Sequence, residues 1–144
     1  MYWPTGISQT KKVLLSGPYW LGIVADALWA VALFVPAVFG ALTGNPDFDP
    51  SLDFRLTMAI GGILMAGWTI LLVWAVRRPI ERRFVILLTA FPVVFGLFVI
   101  ALVRVLEGNT FQVWILIKTA VLFVLMIGSF VLAEKIDRDR SSSD

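Results

Sequence analysis

The stretch "GWTILLVWAVRRPIERRFVILLTAFPVVFGL", residues 67–97, places two uncharged runs on either side of a short basic turn. Every charge in it falls between Arg77 and Arg83. A helix on a soluble protein shows a polar face at the 3.6-residue period, whereas these two runs are apolar all round. Pro79 has no amide hydrogen, so a single helix cannot pass through the turn. The stretch therefore reads as a membrane hairpin, two spanning helices joined by a tight basic connection.

Working outward, the chain holds four apolar runs: Pro18 to Leu42, Leu56 to Val76, Phe84 to Val103 and Phe111 to Ala133. Each approaches or exceeds the roughly 20 residues that a helix needs to cross a hydrocarbon core. Only helices or closed barrels satisfy backbone hydrogen bonds in lipid, and unbroken runs of this length are not barrel strands. The fold class is all-α, a four-helix transmembrane bundle over 18–133, with spans at 18–42, 56–76, 84–103 and 111–133. Residues 1–17 read as a cytoplasmic or interfacial segment, with Tyr2 and Trp3 dipping into the headgroups. Residues 134–144, "EKIDRDRSSSD", read as a disordered cytoplasmic tail. The first run is too long for the apolar region of a signal peptide, so none is expected.

Composition agrees. Of 144 residues, 59% are hydrophobic and 15% charged, and the mean hydropathy is +0.89. A soluble surface needs more polar groups than that. The net charge of +2 is too small to suggest nucleic-acid binding. Charge placement sets the orientation. Lys11, Lys12 and "RRPIERR" flank spans on one side, while the loop "TGNPDFDPSLDF" carries three aspartates and no basic residue. Lysine and arginine favour the cytoplasmic side, which puts both termini inside a cell (inner, cytoplasmic) membrane. Trp20, Trp74 and Trp114 fall where interfacial anchors belong. Pro36 and Pro92 predict local kinks in the first and third spans.

The residues Gly67, Trp68, Thr69, Leu71, Leu72, Trp74, Pro79, Glu81, Arg82 and Arg83, followed by Pro92 and Gly96, carry a resemblance. This hairpin resembles the central portion of a group of uncharacterised four-span prokaryotic integral membrane proteins. The resemblance implies the same four-span topology, and it implies no activity.

The chemistry on offer is sparse. The chain has no cysteine and no histidine, which removes disulfides, thiolate zinc sites, His-ligated haem and Ser/His or Cys/His catalysis. No catalytic, cofactor-binding or metal-binding set emerges, so the protein is expected to be neither an enzyme nor a cofactor carrier. Asp47, Asp49, Ser51 and Asp53 alternate like the opening of a calcium loop. Leu52 and Met58, however, stand where that loop needs glycine and glutamate. A solvated acidic turn is the better reading. Gly61, Gly62, Ala66 and Gly67 give the second span a small-residue surface suited to close helix packing.

Two ionisable residues lie within spans, Asp26 and Lys118, and intramembrane charge points to function by default. Lys118 is about 10 Å deep from the outer end of its helix. Its long side chain can snorkel outward, toward Glu107. Asp26 is short, and its face reads Gly22, Asp26, Ala30, Leu33, Ala37, Gly40. At matching depth, Trp68, Thr69, Thr89 and Ser129 complete a candidate polar cluster with it. Arg77, Arg78, Arg82 and Arg83 are candidate contacts for anionic lipid. The sequence thus describes a small non-enzymatic membrane protein with a structural, lipid-binding or partner-binding role. The alternative is a small ion- or proton-coupled transport or channel component using Asp26. Membrane lipids are the expected partners, and a homo-oligomer or membrane-protein partner fits the small-residue surface; nucleic acid is not expected.

Overall fold

The computed structural model describes residues 8–108, 110 and 112–141, and among these the ordered structure is entirely helical. The elements are α1 (Gln9–Phe34), α2 (Pro36–Thr43), α3 (Leu52–Ala75), α4 (Arg83–Leu88), a π-helical segment (Thr89–Val94), α5 (Phe95–Leu106) and α6 (Gln112–Ser141). Four regions are long and apolar enough to cross a membrane: Gln9–Phe34, Leu52–Ala75, Arg83–Leu106 and Val113–Asp139. The chain is thus a multi-pass membrane protein. Tyr2 and Trp3 lie outside the described residues.

The prolines decide where the helices depart from the expected spans. Helix α1 begins at Gln9 rather than Pro18 and carries Pro18 inside it. It stops at Phe34, because a residue before proline is driven out of the helical region, and Val35 is extended at φ −119°, ψ 98°. Pro36 then opens α2, where its missing N–H leaves no hydrogen bond unmade. The expected kink at Pro36 is a full break. At Pro92 the helix widens into the π-helical turn Thr89–Val94 and continues as α5. An extra residue per turn accommodates the absent amide without ending the span. The third long region runs on to Leu106, and α6 reaches Ser141, so residues 134–141 extend the last helix where a disordered tail was expected.

Two compact units are distinguishable, Gly22–Leu72 and the residues on either side of it. In Gly22–Leu72, the chain after α2 folds back tightly over Gly40, where a Cβ would overlap the Asn45 carbonyl oxygen. Gly44 closes the helix at φ 76°, a left-handed position that glycine adopts without penalty. Phe48 then packs on Phe39 at 4.9 Å and on Phe54 at 5.8 Å between ring centroids. Phe34 lies across Gly62, where a Cβ would come within 2.9 Å of its ring. Part of the small-residue surface of α3 is thus filled by the chain's own α1.

In the other unit, Leu15, Ile80, Ala133 and Ile136 form a buried cluster with Leu132 against it. It joins the start of α1, the basic turn and the end of α6. Ile80 is therefore a core residue inside a turn that reads as exposed. Phe84 meets Phe130, and Phe91 and Phe95 both meet Phe123, which packs the third long region along α6.

Candidate functional site

The basic turn is held by its own side chains. Tyr19, 1% exposed, donates its hydroxyl hydrogen to the Arg82 carbonyl at 3.2 Å. The Arg82 guanidinium stacks over the Trp74 ring, 3.5 Å from its centroid, and donates through Nη1 to the Trp74 carbonyl. This satisfies a carbonyl at the end of α3 that has no further helical turn to accept from. Arg83 donates to the Ile80 carbonyl at 3.2 Å and pairs with Asp137 of α6 at 2.9 Å. Its side chain is only 19% exposed. Arg78 pairs with Glu81 at 3.1 Å, both at the surface, and Arg77 is exposed.

The four candidate lipid contacts therefore divide. Arg82 and Arg83 are committed to protein groups, while Arg77 and Arg78 face outward. Stacking on a ring and donation from a planar head to a main-chain carbonyl suit guanidinium, and lysine at 82 or 83 would not reproduce them.

Asp26 lies in the Gly22–Leu72 unit and is 6% exposed. Its neighbours along the face, Gly22 and Ala30, are buried with it, whereas Ala37, beyond the break at Val35, is exposed. Its Oδ2 is buried without a hydrogen-bond partner among the described residues. On α3 of the same unit, Thr69 gives its hydroxyl hydrogen to Met65 of its own helix at 2.9 Å, and Trp68 is half-buried.

In the other unit, Thr89 bonds back to the Val85 carbonyl at 2.8 Å. Ser129 donates to the Leu15 carbonyl at 3.1 Å, a buried bond that ties α6 to α1. A hydroxyl has one hydrogen to give. The hydroxyls of Thr69, Thr89 and Ser129, assigned from depth to one cluster with Asp26, are thus spent on main-chain carbonyls. Depth fixes height along a span but not which acceptor a short side chain reaches first.

Lys118 is exposed on α6, with its ammonium 5.0 Å from the centroid of the Trp114 ring. Trp114 is one turn nearer the start of α6, so the side chain points toward that end of the helix. Glu107 pairs with Arg104 at 3.2 Å. In the acidic loop, Asp49 pairs with Arg55 at 2.9 Å.

The Tyr19 bond, the Arg82–Trp74 stack and the Arg83–Asp137 pair are the features that sequence reasoning missed. The spacing of Trp74 and Arg82 across a proline turn was the available signal. Comparison with protein families, curated proteins and solved structures finds no match to the chain.

Proposed function

We propose that the protein is a non-enzymatic integral membrane protein of the cell membrane whose latched basic turn binds anionic lipid headgroups. Both termini lie on the cytoplasmic side, since lysine and arginine gather beside the turn and the first helix. One observation carries the reading. Arg82 and Arg83 fix the turn internally, and Arg77 and Arg78 are left outward at the end of a span. Each basic group near an anionic leaflet contributes about 1 kcal/mol. Membership of the four-span prokaryotic group belongs to the same proposal, supported by the Trp74, Pro79, Arg82 and Arg83 pattern that builds the latch. Membrane lipids are the partners, and a homo-oligomer or a membrane-protein partner is compatible with the exposed apolar helix faces.

The test is thermal unfolding of purified protein in mixed micelles. Anionic lipid should raise the unfolding midpoint relative to zwitterionic lipid, and R77Q/R78Q should remove most of that rise. An equal rise in the double variant would refute headgroup binding at the turn.

A second reading has its own observation. The Oδ2 of Asp26, without a partner among the described residues, suits a proton or a monovalent cation, and makes a small transport component the competing function.

A further inference from the structure

Gly17 on α1 and Gly128 on α6 are separated by 111 residues in the sequence but open onto the same surface groove. A Cβ at either would meet nothing within 4 Å, so the missing side chains leave space. The groove encloses about 550 Å³. Its floor is closed by Ser129, whose buried bond to Leu15 holds the two helices together beneath it. Its walls include Leu14, Leu21 and Val124, which are 51%, 53% and 68% exposed. Along α1 it runs from Val13 to Leu21, about 12 Å at 1.5 Å per residue. That is most of half the hydrocarbon thickness of about 30 Å.

Two exposed lysines flank the groove-lining residues in sequence at one end. Leu15 clusters with Ala133 and Ile136, so the start of α1 lies beside the end of α6. Lys11 precedes Leu14 by three residues and Pro18 by seven, and Lys135 follows Leu132 by three and Gly128 by seven. These are same-face spacings on a helix, and both lysines are exposed. Neither joins an ion pair among the described residues, and Asp139, one turn further out, already has a partner. The opposite end lies at Leu21 and Val124, both apolar and exposed.

The geometry points to a seat for one anionic phospholipid, with an acyl chain in the Gly17/Gly128 groove and its phosphate between Lys11 and Lys135. An apolar slot ending under two unpaired cations matches the two halves of such a lipid. A second copy of the chain fits less well. A two-fold contact through this groove would set each lysine pair against its own copy, and juxtaposed like charges oppose association. The seat rests on the proposed lipid-binding role but is distinct from the outward arginines of the turn.

Full-length protein in detergent, offered equal phosphatidylglycerol and phosphatidylcholine, is read by native mass spectrometry, with circular dichroism as the check on folding. The wild type should retain one lipid with phosphatidylglycerol preferred. G128L, which fills the slot, should lose lipid of both kinds, while G96L, an equally open glycine outside the groove, should not. K11Q/K135Q should keep the acyl chain but cut the anionic preference about tenfold. Because these lysines are at the surface, that variant decides the matter if G128L does not fold. Unchanged lipid retention in a folded G128L, or an unchanged anionic preference in K11Q/K135Q, overturns the seat. A dimer lost in G128L with lipid unaltered would overturn it too, in favour of a second copy. Lipid lost in R77Q/R78Q but not in G128L would leave headgroup binding at the turn standing without the groove. A wild type that retains no lipid would sink both.

Discussion

Asp26 offers a buried carboxylate oxygen without a hydrogen-bond partner among the described residues, in a helix long and apolar enough to span a membrane. Ionised, such a group costs roughly 2.5–3.5 kcal/mol even on the lenient insertion scale. A purely structural acceptor would be expected to hold donors that become orphaned on its removal, and Oδ2 holds none. Asp26→Asn is nearly isosteric and removes the charge. On the proposed function it should leave the helical content unchanged, with an unfolding midpoint equal to or above that of the wild type. Vesicles containing wild type or variant should then show equal passive ion leak. Proton or monovalent-cation flux present in the wild type and abolished by Asn would transfer the function to Asp26. That Asp26 faces inward was legible from its short side chain and its small neighbours Gly22 and Ala30. That its Oδ2 has no partner among the described residues was not legible, because Thr69 bonds within its own helix and nothing in the sequence reports that preference at a given position.

Helix α6 shows how tertiary contacts extend an element. The run "EKIDRDR" reads as a frayed end, since its charges have no reason to order in isolation. In the fold, Ile136 is buried with Leu15 and Ile80, and Asp137 meets Arg83. Hydrogen bonds to charged groups contribute about 1.5–3 kcal/mol, enough to hold the last two turns. Asp137→Asn should therefore speed amide exchange over 134–141 by about tenfold, a change of about 1.4 kcal/mol, while the middle of α6 keeps its protection. Uniform protection along α6 in that variant would show that apolar packing alone orders the end. The long region Arg83–Leu106 makes a parallel point. Pro92 was visible, but that the chain widens around it into a π-helical turn, rather than kinking or breaking, was not legible from the residue alone.

For the whole molecule, the proposed orientation rests on the charge asymmetry and can be tested with single cysteines, because the chain has none of its own. Asp47→Cys should react with an impermeant thiol reagent from outside intact cells, and Arg77→Cys only after permeabilisation. Both positions are exposed, whereas Ile80, 6% exposed, would be silent from either side. The reverse pattern would invert the topology and leave the four spans intact. The sequence by itself determined that the chain is all-α, that four helices can cross a membrane, and which loops carry basic or acidic charge. Those properties come from unbroken apolar length and from local charge, which neighbours in sequence settle. Only the tertiary structure decided that Arg82 and Arg83 are used internally, that Ile80 belongs to a core, and that Gly17 and Gly128 open one groove. The Tyr19–Arg82 bond, the Arg83–Asp137 pair, the Ile80 cluster and the groove join residues far apart in sequence, and in lipid, where hydropathy does not distinguish one helix partner from another, the choice falls to side-chain shape and the few available hydrogen bonds.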